Sequence, residues 1–509
     1  MRVVRPKEAL FVGLALALTA AGLGVDLQGR RSASAGPEAR TSTGPRGQFI
    51  ERSVFCPGAV ERGRPDQKER ERPDQKVGRL ASRVLTVHAP RSRGVRIAAR
   101  PWNRHPAPVD GKMVWLPGAD RRAVDVVGAG GRVTAASLVG WQGPGDQGRR
   151  NALASGGAGA SRCSPVASDR WYLPLGASSA GWDERITMFN PFPDEAVVRL
   201  DFAAEGRAPA VGPREVAVPA RSSIQVKVNR VALPDPSLAA TVTVRRGRVV
   251  VWKTVFRSPD RRLGRAPGRS PGTGPESRGA LFSLGARTAS TQWYFPEAGA
   301  GPGRSTTFAV MNPGAAPATV TISLLGRLAM VQPPSLVDVT VPAGGSKLIP
   351  VPAPAARSGL VRSFSAVVTS TSSSGVVAER SVSYGTGDLV GVASEMGATR
   401  AARRWSLAPA VARPAADDVV VLNPGSQDAV VDLTVFRPSS RGVTPARLRD
   451  LMVEAGARRT IPVGGLRVGP PGVVVVRSSA PVVAERRAYS PEFGDVASVM
   501  GEPLPLGDG

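Results

Sequence analysis

Between residues 166 and 290 apolar side chains recur at every second position in short runs: WYLPL from Trp171, RITMFN from Arg185, AVVRLDF from Ala196, REVAVPA from Arg214, SIQVKVN from Ser223, AATVTVR from Ala239, VVVWKTVF from Val249 and GALFSLG from Gly279. A period of two sends successive side chains to opposite faces of a strand. Gly, Pro and Asp break the runs at roughly ten-residue intervals, and β-branched residues fill them, as in a two-sheet β-sandwich. Outside the N-terminal segment no stretch longer than about ten carries a clean helical period. TPARLRDLMVEAG, Thr444 to Gly456, comes nearest and reads as one short helix or as a strand.

The pattern repeats. An opening aromatic strand stands at Trp171 (WYLP), Trp293 (WYFP) and Trp405 (WSLAP). An Asn-Pro pair follows at Asn190-Pro191, Asn312-Pro313 and Asn423-Pro424, at almost the same distance past the Trp each time. A β-branched run then holds Trp252-Lys253, Glu379-Arg380 and Glu485-Arg486, again at nearly equal distances past the Asn. Each unit closes on ALFSLG, GVASEMG or DVASVMG. Ordered landmarks at near-constant spacing mark a repeat of domain size. A decayed copy precedes them: FCPG at Phe55 stands for WYLP, LTVHAP at Leu85 for ITMFNP, and RVTAASLV and NALASGG for the later landmarks. The gap from Phe55 to His88 is too long for this alignment, but positions 61–76 inside it read ERGRPDQK and then ERERPDQK. With that tandem duplication set aside, the spacing comes close to that of the other copies.

The expected architecture is all-β: tandem Ig-like β-sandwich modules behind a single N-terminal transmembrane or signal helix. The modules span 49–163, 166–287, 291–398 and 403–503, the second with a disordered loop at 259–279. Residues 1–25 carry Arg2, Arg5 and Lys7 before an apolar stretch from Ala9 to Val25, the pattern of a membrane anchor or signal segment with the N-terminus inside. An uncleaved anchor is favoured over a cleaved signal, because the small-residue site Ala33-Ser34-Ala35 lies past Arg30-Arg31. Residues 26–48 are Gly/Ser/Arg-rich and read as a disordered stalk.

Asn-Pro ends a ladder and starts a turn, since Pro lacks the N–H and Asn takes turn conformations readily. That structural role is set against a ligand site at the Asn side chains. The tryptophans are core aromatics or, on the sharper reading, sugar-stacking platforms. Glu379 and Arg380, like Glu485 and Arg486, are neighbours on a strand and point to opposite faces, so each is expected to pair across strands or between modules. The second repeat has Trp252-Lys253 there, which speaks against catalysis.

The formal charge is +27, and 60 of the 67 basic residues are arginine, spread along the chain without a stripe. That distribution argues against nucleic acid and for weak attraction to anionic polymers or headgroups. Cys56 and Cys163 are expected to form a disulfide with Cα atoms about 4.4–6.8 Å apart; free thiols or metal ligation are the alternatives. The two histidines, His88 and His105, are not in ligand spacing with either cysteine, so no zinc site is expected. Both sit in loop-like text beside proline, and no nucleophile elbow, phosphate loop or calcium loop is present in the sequence.

The ordered set WYFP, NP, VVAER and ASxMG behind one apolar segment resembles DUF5719, a family of actinobacterial secreted or membrane-anchored proteins of unknown function, over roughly residues 50 to 503. The ER-containing strand also looks like repeats of extracellular bacterial adhesin-type proteins. The resemblance implies an envelope location and a β-rich fold, and no activity or functional residue. The first repeat departs from it, lacking the Trp and carrying the RPDQK duplication.

The resulting expectation is a non-catalytic extracytoplasmic protein, held in the cell membrane by its N-terminal segment or secreted if that segment is cleaved. It would scaffold or bind other envelope components, with cell-wall polymers or envelope proteins as partners. No cofactor, metal, nucleic acid or small-molecule substrate is expected. The alternative is a carbohydrate-binding or carbohydrate-active protein of the cell wall.

Overall fold

The computed structural model describes residues 53–505 apart from 59–78, 89–95, 101–106, 109–112, 118–122, 130–132, 143–156, 180–181, 206–212, 258–278, 327–329, 353–362, 387–388, 439–441 and 466–470. The expected anchor (1–25) and stalk (26–48), the duplication at 61–76 and nearly all of the expected loop at 259–279 lie outside the described residues. Among those residues no helix is long and apolar enough to cross a membrane. From Arg52 to Gly509 the chain forms one compact unit.

The alternating runs form strands, and the fold is all-β. Helical structure among the described residues is confined to single 3₁₀ turns; TPARLRDLMVEAG becomes one such turn, Ala446–Leu448, and the short strand Leu451–Val453. The strands fall into four successive pairs of antiparallel sheets. In the second pair the eight strands are Arg170–Leu173, Trp182–Asn190, Ala196–Ala204, Arg214–Val218, Ser222–Lys227, Leu238–Arg246, Val250–Arg257 and Gly279–Leu284. Counted in chain order, strands 4-3-6-1 make one sheet and 5-2-7-8 the other. The same order recurs from Ser53–Cys56 to Gly157–Arg162, from Gln292–Ala298 to Leu389–Met396 and from Ala402–Leu407 to Asp495–Met500. In the fourth pair the sixth and seventh strands are one unbroken strand, Val473–Ser490, shared by both sheets.

Each pair encloses an apolar core. In the third, Phe308 and Val310 of the second strand meet Val320 and Ile322 of the third beneath Trp293 and Phe295. The strand register makes the equivalences explicit. Phe189–Val250, Met311–Val377, Leu422–Val483 and His88–Thr134 are corresponding pairs of the second and seventh strands. At the opening strand, Tyr172, Tyr294 and Phe55 bridge to Ala286, Ala398 and Ser164, and Ser406 pairs with Glu502. Val54, and not Phe55, therefore occupies the tryptophan position. With the tandem duplication set aside, the separation from Val54 to His88 equals that from Trp171 to Phe189.

The four pairs do not stand in a row. Their eighth strands meet in sequence, first with second, second with third, third with fourth, and fourth with first. Every seam is head-to-tail. Val255 and Leu281 of the second pair pack on Val392 of the third. Val382 and Ala393 of the third pack on Val496 of the fourth. Ala497 and Val499 of the fourth pack on Ala158 and Ala160 of the first. Trp141 of the first meets Phe282 of the second edge-on, 6.1 Å between ring centroids. A head-to-tail contact propagates until its rotation closes; here four steps close it into a ring whose axis is lined by the eighth strands.

Candidate functional site

Several residues singled out from the sequence act locally. Asn190, Asn312 and Asn423 are buried. Each Nδ2 donates to a carbonyl one turn further along the chain, Asp194 at 2.6 Å, Ala316 at 2.8 Å and Gln427 at 2.7 Å. Each also donates across the turn, to Val218, Val341 or Val453. Each Oδ1 accepts from a backbone N–H just past the proline, at Phe192, Gly314 and Gly425. The side chain thus satisfies backbone groups that Pro191, Pro313 and Pro424 release from the ladder. Trp171, Trp293 and Trp405 are buried, and their indole N–H groups donate to Val249, Val376 and Val482. Their faces are covered, which leaves no platform for sugar stacking.

The charged landmarks join neighbouring sheet pairs. Lys253 Nζ of the second pair lies 2.6 Å from Glu379 Oε2 of the third, both wholly buried. Ser283 donates to the other carboxylate oxygen at 3.0 Å. One step round the ring, Arg380 of the third pair forks onto Glu485 of the fourth at 2.9 and 2.7 Å. Lys253 and Arg380 also donate to the carbonyls of Leu175 and Glu297, corresponding residues shortly after each tryptophan. Register places Lys253, Arg380, Arg486 and Ser137 in one position, and Trp252, Glu379, Glu485 and Ala136 in the adjacent one. Arg486 would look across the fourth seam to Ala136, which has no carboxylate. It pairs instead with Asp417 of its own sheet, Nε to Oδ1 at 2.7 Å. Burial depresses the ionisation of Arg380, but the Glu485 carboxylate outweighs it and holds the guanidinium pKa above its ordinary value. At the same third seam Glu297 takes Arg304, Arg458 at 3.0 Å and Arg487 at 2.7 Å.

Asp495 stands on the axis. The other eighth strands carry Gly157, Gly279 and Gly391 at its position. The backbone N–H of the next residue in every pair donates to its carboxylate: Ala158 at 3.0 Å and Ala280 at 2.9 Å to Oδ2, Val392 at 2.9 Å and Val496 at 2.8 Å to Oδ1. A Cβ at Gly279 or Gly391 would fall 2.6 or 2.2 Å from Asp495 Oδ1, so the space the carboxylate needs exists because these neighbours are glycine. Burial pushes the Asp495 pKa up to about 8 against the pull of the four hydrogen bonds. Glu395, also buried, accepts from the N–H groups of Met396 and Met500 and is likewise raised to about 8 by burial.

At the opposite end of the eighth strands, the strand ends and the segments that follow them surround a cavity of about 230 Å³. Leu284, Met396 and the edges of the three tryptophans line it, with Arg162, Arg287, Arg400 and Glu502 among them. Arg162 occupies the position of Leu284, Met396 and Met500 in the other pairs. Its Nη1 is 3.4 Å from the Gly501 carbonyl and 3.5 Å from Glu502 Oε2, and its Nε has no partner. Those distances are at the limit of hydrogen bonding, and a partly exposed pair of this kind is worth about 0–1 kcal/mol.

Cys56 and Cys163 form a disulfide, with Cα atoms 4.3 Å apart, just under the expected span. The corresponding pairs in the other repeats are Leu173 with Gly285, Phe295 with Gly397 and Leu407 with Gly501. Elsewhere a large side chain lies over a glycine; in the first repeat a covalent bond ties the same two places. His88 does not lie in a loop but ends the second strand of the first pair. It is buried at the fourth seam against Phe436, 4.6 Å between ring centroids, with Ser406 Oγ 3.4 Å from Nδ1. Burial lowers its pKa to about 3. Asp417 and Asp418 face Arg486 and Arg487, and no metal-binding cluster of acidic, His or Cys side chains occurs among the described residues.

The observations define a class: an all-β protein built of four equivalent sheet pairs, closed head-to-tail about an axis with a buried carboxylate towards one end and a cavity of mixed polar and apolar lining at the other. The chain belongs to DUF5719, a family of unknown function that matches residues 147–255 and 274–500. The match begins just before the eighth strand of the first sheet pair, so most of that pair lies outside it although it keeps the strand order. No curated protein matches. Among solved structures, a Thermotoga maritima protein designated 1070 is similar at 14% identity over 24% of this chain and 95% of its own, TM-score 0.19. The Anabaena sensory rhodopsin transducer is similar at 22% identity over 17% of this chain and 80% of its own, TM-score 0.15.

Proposed function

We propose that this protein is a non-catalytic extracytoplasmic scaffold or binding protein of the cell envelope, anchored through its N-terminal segment, and that each sheet pair is an Ig-like β-sandwich. One observation carries the reading. The charged landmarks of the repeats, Lys253, Glu379, Arg380 and Glu485, are engaged with one another across seams. Chemistry-capable groups in this fold hold modules together, and the outcome is a rigid body that presents the outer surfaces of four modules at once. Several weak contacts on one rigid body reinforce one another through effective concentration, and the +27 charge adds attraction to anionic polymers that salt screens.

The test is capture of envelope components by the full chain at low and high salt, alongside a panel of glycan and peptide hydrolase substrates. Salt-sensitive capture without turnover is expected. Turnover abolished by a single carboxylate or serine substitution would overturn the non-catalytic reading, and turnover of a glycan would favour a carbohydrate-active enzyme.

A further inference from the structure

We propose that the axial cavity is a binding site for a small ligand with an anionic oxygen group, carboxylate or phosphate ester, on an apolar body. It is independent of the scaffold reading, which concerns the outside of the ring.

Three features argue for it. The first is the break in pseudo-symmetry. Leu284, Met396 and Met500 fill one position with aliphatic side chains, and the first repeat alone puts a guanidinium there. Packing does not require Arg162, since leucine or methionine serves in the other three repeats. The second is its loosely held end: Nη1 has only contacts at 3.4 and 3.5 Å, and the Nε buried behind it has no partner. A guanidinium is a rigid fork suited to two oxygens of one anion, and Arg162, its side chain 23% exposed, is among the residues that line the open volume. The third is charge and size. Three arginines against Glu502 leave the lining with an excess of positive charge. The volume, about 230 Å³, lies just below the usual span of small-molecule sites, ~300–1,000 Å³. Leu284 and Met396 supply the apolar wall that orients the body of such a ligand.

The probes are benzoate and phenyl phosphate, with neutral benzamide as control, titrated calorimetrically into the full chain at low and high salt. Binding of at least one anion, weakened by salt, with no binding of benzamide, is expected. Arg162→Met copies the residue at 396 and 500; it should weaken anion binding at least about tenfold, the loss of one charge-assisted contact, with an unchanged melting temperature. Glu502→Gln should tighten it. If Arg162→Met fails to fold, Arg287→Ala with Arg400→Ala replaces it, again with weaker anion binding expected. Preference for benzoate assigns the site to carboxylates and preference for phenyl phosphate to phosphate esters. Absence of anion binding by the wild-type chain, equal binding of benzamide, or a folded Arg162→Met chain that binds as well as wild type would each overturn the proposal.

Discussion

Two seams of the ring are held by buried ion pairs and two are not. At the second–third and third–fourth seams Lys253–Glu379 and Arg380–Glu485 cross between sheet pairs with no exposure to solvent. At the two seams made by the first pair the corresponding positions hold Ser137 with Trp252, and Arg486 with Ala136. There aromatic and apolar packing takes their place: Trp141 stands on Phe256 at 5.0 Å and on Phe282, and Phe493 and Val499 pack with Ala160, beside the contact of His88 with Ser406 and the partly exposed pair Arg162–Glu502. The geometry of the seam therefore does not depend on a buried ion pair. Apolar packing closes two contacts of the same kind, as expected if a buried ion pair roughly breaks even against well-packed apolar side chains. The charges set which face meets which, since a lone Glu379 or Arg380 would be left buried and uncompensated against any other neighbour.

The first pair, which lacks both ion pairs, is also the one with the disulfide. Cys56→Ser with Cys163→Ser should produce the largest loss, up to about 4–5 kcal/mol in the chain-entropy model for a loop of this length, read by urea denaturation. A loss below about 1 kcal/mol would mean that seam packing alone holds the first pair. Next, Glu485→Ala should cost about 3–5 kcal/mol because it strands Arg380. The double change Arg380→Met, Glu485→Leu should recover most of it; no recovery in a folded double variant would show that the pair stabilises the seam outright.

The pH dependence comes third. Burial raises Glu395 and Asp495 to about 8 and Glu184 to about 7. The fold therefore holds these protons more tightly than the unfolded chain does. The stability they contribute is full below about pH 4, the ordinary carboxylate range, and is lost as pH rises through about 7 to 8. Denaturation midpoints should fall from about pH 5 to about pH 9, and Glu395→Gln should flatten the slope; an unchanged slope would assign it to other groups. The smallest effect is expected at Arg246, whose partner Glu195 is 2.9 Å away on the open surface. Arg246→Ala should cost less than about 1 kcal/mol and matter less in high salt, in contrast to the seam pairs.

The repeat was legible in the sequence because Asn-Pro and the aromatic strand recur at near-fixed spacing, and because the turn needs those residue types. That Glu379 and Arg380 pair elsewhere than with each other followed from strand geometry alone. Ring closure did not follow. Its signal was present: the eighth strands, GALFSL and DVASVM among them, are apolar on both faces, the mark of strands covered on both sides. Asp495 was visible as well, one acid aligned with glycines at 279 and 391. Its role depends on three other strands arriving within 3.0 Å, and spacing along a chain does not encode that. The cavity was hidden for the same reason, because Arg162 looks ordinary until the other three repeats are superimposed on it.

The axial carboxylate has a consequence for biosynthesis. The amide groups of Ala158, Ala280 and Val392 are made first and in order, while the acid that accepts from all three lies on the last of the four eighth strands. Until Asp495 is made, those three amide groups have no acceptor on the axis, and the first and third pairs lack the cover of Val496, Ala497 and Val499. Closure of the ring is thereby coupled to synthesis of the strand Asp495–Met500, and a product truncated before it exposes apolar surface of the kind that proteolytic quality control recognises.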